Sequence, residues 1–418
     1  MVRRCVSSLV FACAALAVAA AQGVAQPCDP ATYVTRSGLV FTVAPSGGDD
    51  TACLQYAIDQ AAAAGHGAVV QLLAGSYKTA QLFVRDLHGA LRGQGMDATT
   101  VRNLDTPLPM PDPYLFWYAL PSPDNKWPWL ISVVGGDAIV SDLAVHVVGL
   151  APFDDWYLPE EWGGFGPLNI TLAAFGVQGS ETAVAFERVR VAGEGACDTG
   201  VNTNVGIALV GPVWGTTDYQ TGFGLTIDGA TFDRVNWGVF TEALEASRVD
   251  VTRSRFEPAV CWGGFILGDV RASRLTAAWN DFAGPVGVDV FAGEMASLGV
   301  QDSSILVGNN RFAGTLGVWM ESNWYTGGPM FVGQVECVML GNNVQRVTQA
   351  PPPWLPWVPL TAGYYLEPPI HGCVIVGHGR GTAVDLGTDN RITGVTKRPA
   401  VGPYIAPVLR GGMGLPRP

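Results

Sequence analysis

Phenylalanine returns at 232, 256, 282 and 312, each time closing a short segment and preceding a glycine-rich apolar strand. The strands that follow are Trp237-Gly238-Val239-Phe240, Gly263-Gly264-Phe265-Ile266, Val286-Gly287-Val288-Asp289-Val290 and Leu316-Gly317-Val318-Trp319. Spacings of 24, 26 and 30 residues suit one supersecondary unit per repeat with turns of unequal length, which is the signature of a solenoid. Each coil of such an array stacks its short strands on the coil below, about 4.8 Å away. Gly308-Asn309-Asn310 and Gly341-Asn342-Asn343 recur at related positions, as turn asparagines that hydrogen-bond their neighbours would. Composition agrees: 53 glycines, 29 prolines and only 14% charged residues in 418 describe many turns and many buried short strands.

A solenoid leaves open core and unpaired strands at its ends, so it needs a cap with one apolar face. The segment from Asp49 to Tyr77 supplies one. Asp49, Asp50 and Thr51 offer an N-cap, and Leu54, Ala57, Ile58, Ala61 and Ala62 fall on one helical face ending at Gly65-His66-Gly67. The strand Ala68 to Leu73 follows.

Asp49-Asp50-Thr51, Ala57-Ile58-Asp59-Gln60-Ala61, Gly67-Ala68-Val69-Val70 and Leu73-Ala74-Gly75-Ser76-Tyr77 together resemble the opening of pectin-lyase-like β-helix proteins. Leu91-Arg92-Gly93-Gln94-Gly95 with Thr99-Thr100-Val101 is similar to an early coil in them. The resemblance covers about residues 40 to 105 and implies an all-β, right-handed, single-stranded parallel β-helix with an N-terminal capping α-helix. The organisation expected is a secretory signal over 1–25, cap and first coils over 26–105, coils with aromatic and proline-rich insertions over 106–393, and a tail over 394–418.

The signal is read from Arg3 and Arg4 ahead of the apolar run Leu9 to Ala20, then small residues to Ala25. Its loss takes two arginines and moves the net charge from −12 to −14, which disfavours nucleic acid and anionic lipid as partners. The expectation is a secreted or periplasmic protein without a membrane span. Cys28, Cys53, Cys197, Cys261, Cys337 and Cys373 remain in an oxidising compartment, and a Cys28–Cys53 disulfide would strap the mature N-terminus to the first helix. Buried thiols stacked between coils are an equal expectation for the other four.

Carboxylates follow the four repeated strands at nearly constant offset: Glu242, Asp269, Glu294 and Glu321, separated by 27, 25 and 27 residues. Stacked at coil spacing, adjacent members would stand about 5 Å apart and alternate ones about 10 Å, bracketing the separations that glycosidases use. Repulsion would keep one of them protonated as a general acid. No cofactor is required; Ca²⁺ is the ion that would relieve the same repulsion, with Asp289 and Asn323 as added donors. Solvated turn acids are an equal reading. Trp156 and Trp162 on one insertion, and Trp319, Trp324 and Tyr325 around Glu321, are candidates to stack on sugar rings, the other reading being aromatics that pin their loops onto the solenoid wall.

Polygalacturonase-like members of the family carry an ordered set of motifs of which Asn202-Thr203-Asn204 and Arg391-Ile392-Thr393 are imperfect echoes, so no catalytic residue is carried over. Pectate-lyase-like members use Ca²⁺-binding acids and an arginine base, and no motif singles out Arg248, Arg271 or Arg274 for that task. Three functions follow: a polysaccharide hydrolase or lyase working through the acidic column, a noncatalytic glycan-binding or cell-envelope protein on the same scaffold, or a structural surface module with no ligand.

Overall fold

The computed structural model describes residues 27–104, 129–147, 173–193, 205–210, 220–260, 263–291, 299–321, 330–345, 362–368, 370–379 and 382–398. The signal expected over 1–25 lies outside them. Strands dominate and stack in parallel into two long sheets, here sheet A with 19 strands and sheet B with 14. Sheet B climbs through Trp129–Val134, Ala173–Gln178, Val205–Val210, Trp237–Glu245, Gly263–Arg271, Val286–Phe291, Leu316–Met320 and Ala362–Leu366. Between them the chain crosses to sheet A, through Gly224–Asp228, Arg248–Thr252, Arg274–Ala278, Ser304–Gly308 and Glu336–Val344.

The recurrent phenylalanines form a continuous internal stack. Ring centroids are 4.8 Å apart for Phe232–Phe256, 4.5 Å for Phe256–Phe282 and 5.2 Å for Phe282–Phe312, with planes within 15°. The glycines of the next strand explain how the rings fit. A Cβ on Gly264 would lie 2.5 Å from Cδ1 of Phe282, and one on Gly287 would lie 2.4 Å from Cε1 of Phe312. Glycine is needed there for room, not for backbone freedom.

Two corners of the central coils are tied by side-chain ladders. The backbone N–H of Asn280 donates to Oδ1 of Asn310 at 2.8 Å, and that of Asn310 to Oδ1 of Asn342 at 2.9 Å. At the other corner Ser247 N–H donates to Ser273 Oγ, and Ser273 N–H to Ser303 Oγ, both at 3.0 Å. These bonds satisfy buried backbone donors where the chain turns away from its strands.

The helix Thr51–Ala64 closes the N-terminal end, burying Cys53, Leu54, Ala57, Ile58 and Ala61 and stopping at Gly65 with φ +86°. Asp50, at its N-cap, uses its carboxylate elsewhere: it accepts from the backbone N–H of Ser46 at 2.7 Å and of Lys78 at 3.0 Å, pinning the helix to the first coil. Asp49 accepts from Thr51 N–H instead, at 2.9 Å. The disulfide Cys28–Cys53 is formed. So is Cys337–Cys373, where buried free thiols were an equal expectation. Cys197 and Cys261 lie outside the described residues. No described helix is long and apolar enough to cross a membrane.

Candidate active site on the outward face of sheet B

Alternation along a strand sends one set of side chains inward and the next outward. In sheet B the aligned Val239, Phe265, Val288, Val318 and Tyr364 enter the core. Their neighbours form an outward row across five coils: Phe240, Ile266, Asp289, Trp319 and Tyr365. Two residues further along runs a second row, Glu242, Gly268 and Phe291, in register by pairing. Glu321 and Glu367 extend it, since Glu321 N–H donates to Val290 carbonyl at 2.8 Å and Glu367 N–H to Met320 carbonyl at 3.0 Å.

Three carboxylates from successive coils therefore meet on one surface: Asp289 in the first row, and Glu321 and Glu367 in the second. Each coil step is about 4.8 Å. Although part of Glu321 still reaches the surface, its pKa is pushed well above the usual carboxylate range, first by loss of water, then by the charges of Asp289 and Glu367. Trp319 lies under the group, 3% exposed, and its indole N–H donates to Oε1 of Glu367 at 3.0 Å. The Tyr365 phenol is pushed up to about 12 by burial and by the Glu367 charge. Beneath the strand, Met320 packs its Sδ 3.8 Å from the Sγ atoms of both Cys337 and Cys373, so the second disulfide backs the site from the core side.

The column expected from spacing is rearranged. Glu242 and Glu321 share a row, but three coil steps separate them, about 14 Å along the axis. Glu242 is in register with Gly268, not with Asp269. Asp269 is one residue further, with φ +37°, and its fully buried carboxylate accepts from Gly299 N–H at 2.7 Å. It braces a turn. The physical reason is the two-residue period of a strand: a one-residue offset reverses the side chain's direction, and nearly equal linear spacings hide it. Glu294, Trp156, Trp162, Trp324 and Tyr325 lie outside the described residues. Trp319 offers no open ring face and holds a carboxylate instead.

The sequence marks Asp289 only as an added Ca²⁺ donor and does not single out Glu367. Aligning the strands on Val288 and Val318 rather than on the offset carboxylates would have placed Asp289 in the row of Phe240. For Glu367 the signal is weak, because the proline-rich insertion ahead of Tyr364-Tyr365-Leu366 breaks the repeat spacing. Among the described residues no group of three or more His, Cys, Asp or Glu is arranged to hold a metal ion.

No protein-family model matches this chain, and no curated protein matches it. Solved structures that it resembles include tailspike protein 2 of Escherichia coli O157:H7 bacteriophage CAB120, at 9% identity over 72% of this chain and 41% of that one, TM-score 0.34. They also include the A-module of a mannuronan C-5 epimerase from Azotobacter vinelandii (15% identity, 85% and 94% covered, TM-score 0.30) and the pectin methylesterase PemA from Erwinia chrysanthemi (13%, 74% and 80%, TM-score 0.29). The chain spans about two fifths of the tailspike's length. Likenesses this distant carry no argument about chemistry. By its own coil order and strand register, the chain is a right-handed single-stranded parallel β-helix closed at its N-terminus by an α-helix.

Proposed function

We propose that this protein binds a polysaccharide along the outward face of sheet B and hydrolyses it at Asp289, Glu321 and Glu367. The observation that carries the reading is the raised pKa of Glu321 between two other carboxylates. A carboxylic acid that holds its proton more tightly than usual beside a second carboxylate is the arrangement glycoside hydrolysis needs. Glu321 gives its proton to the glycosidic oxygen as the bond to the anomeric carbon breaks. Asp289 takes a proton from the water that adds to that carbon, while Trp319 fixes Glu367 and so maintains the charge that helps to raise the Glu321 pKa. Glu242, about three coils away, contacts a more distant sugar. Secretion fits the two disulfides, which persist in oxidising compartments.

The test is incubation of the disulfide-intact protein with a panel of polysaccharides, followed by mass analysis of the products. Products that have gained water, lost in Glu321→Gln and kept in Asp281→Asn on sheet A, support the assignment. Unsaturated products would replace hydrolysis by elimination. A noncatalytic glycan-binding role is the second reading, favoured by the 5% or lower exposure of Asp289, Trp319, Tyr365 and Glu367. It predicts retention on an immobilised glycan without any product.

A further inference from the structure

Charge is segregated between the two sheets. Every described Lys or Arg between residues 129 and 345 lies in sheet A or the turns flanking it, save Arg271, at the far end of Gly263–Arg271 and bridged to Glu245 at 2.8 Å. In sheet A these cations meet acids: Arg188 pairs with Asp142, Arg253 with Asp228 and Arg311 with Asp281. Over the same coils the outward rows of sheet B carry Glu242, Asp289, Glu321 and Glu367 and, among the described residues, no cation. Among the described residues, basic side chains return to sheet B at its ends, at Arg85 and at Lys397 and Arg398, two coils beyond Tyr365.

A second observation comes from uncharged groups on the same face. Ser132 is 1% exposed and Gln178 3% exposed, yet Ser132 Oγ and Gln178 Oε1 have no hydrogen-bond partner, and neither has the buried Nε1 of Trp237. Ser132 belongs to the row of Phe240, through Gly176 and Ala208. Gln178 lies one position past the Val177–Leu209 pair, in the row of Glu242. Trp237 stacks on Phe240 with centroids 4.9 Å apart. Buried polar atoms are ordinarily paired, and leaving one unpaired is costly. A hydroxyl that gives and accepts, a carbonyl that accepts and an indole that donates match a ligand carrying hydroxyl groups. They offer nothing to neutralise an anion.

We infer that the glycan received by this face is uncharged, without carboxylate or sulfate groups, and that Ser132, Gln178 and Trp237 bind its hydroxyls. The inference rests on the polysaccharide reading above and narrows it. From the strand of Ser132 to that of Tyr365 there are seven coil steps, about 34 Å, so the hydroxyl-binding groups and the acids serve different sugars of one extended chain. A uronate chain laid there would bring like charges together at Asp289, Glu321 and Glu367 with no cation between them. Such juxtaposition discriminates strongly against the wrong partner.

The experiment uses polygalacturonate and alginate beside their carboxyl-reduced, neutral forms, so that linkage is held while charge is removed, together with neutral glucans, mannan, galactan and xylan. Binding by affinity electrophoresis and product release are both read at low salt. A preference of at least about tenfold for neutral or reduced polymers is expected. Equal or better action on a uronate polymer overturns the inference while leaving the polysaccharide function standing. No binding and no product with any glycan overturns both. For the hydroxyl contacts, Trp237→Phe and Ser132→Ala should weaken neutral-glycan binding several-fold while leaving Tm of the free protein unchanged or higher, because each removes an unpaired buried group. Unchanged affinity in both variants overturns their assignment to the binding face.

Discussion

The fit between the phenylalanine stack and the glycine column can be measured as a coupling energy, with Gly264→Ala, Phe282→Ala and the double variant. Phe282 is 1% exposed and stacked on both faces, so its truncation should cost about 3–5 kcal/mol, the range for emptying a buried phenylalanine site. Gly264 has no positive φ, so alanine there meets only crowding: Phe282 Cδ1 and Cε1 at 2.5 and 2.6 Å, then Gly287 carbonyl oxygen at 2.9 Å. Overpacking of this kind costs about 1–3 kcal/mol. With the ring gone, two of the three close contacts vanish and the new methyl fills part of the cavity. The double variant should therefore be less damaged than the sum of the single ones by about 1–2 kcal/mol. Urea unfolding of all four proteins with disulfides intact, followed by fluorescence and circular dichroism, reads this directly, and coincident transitions justify the comparison. Additivity within about 0.5 kcal/mol would refute the claim that the glycines exist to admit the rings.

Glu321 has a pKa raised in the folded state, so the native protein binds the extra proton, and stability should fall as pH rises from the ordinary glutamate range through the raised value. Glu321→Gln imitates the protonated form, and Tm against pH should flatten over that window; parallel curves for variant and wild type would contradict the burial of the carboxyl. Hydrolytic activity should be lost over the same rising limb. Replacing both Cys337 and Cys373 by alanine opens a cross-link between residues 36 apart and should cost about 4 kcal/mol by loop entropy. Denaturant titration of that double variant checks the figure, and a loss under about 1 kcal/mol would mean that the stacked coils already hold the segment. Asp50→Ala strips the acceptor from two backbone N–H groups beneath the capping helix and should cost about 2–4 kcal/mol. Early amide exchange in Thr51–Ala64 is the local sign to look for, and protection equal to wild type would show that the helix is held by its apolar face alone.

The fold was legible because its determinants are periodic. The phenylalanine spacing, the glycines after it and the apolar face of Thr51–Ala64 each state a local requirement that the assembled coils meet. The site was legible only in part. The offset of Glu321 after a repeated strand is visible in the sequence, but which face a residue takes depends on register, and Asp269 sits one residue out of it. The partners of Glu321 arise from coils that the proline-rich insertion separates in sequence, and only stacking brings Glu367 beside it. The unpaired atoms of Ser132, Gln178 and Trp237 have no sequence signal, because a missing partner is a property of the assembled surface.

The two corner ladders make the coil an interchangeable unit of length. Arg248, Arg274 and Ser304 occupy the same place on consecutive coils, each entered through a serine of the ladder. Excising residues 248–273 would join Ser247 to Arg274 in the same register and leave a helix shorter by one coil. Asp289, Glu321 and Glu367 would then stand one coil step, about 4.8 Å, closer to Ser132 and Gln178. The length of the outward face is thus set by a ruler marked in whole coils, and evolution can change it by duplicating or deleting a segment without redesigning either end.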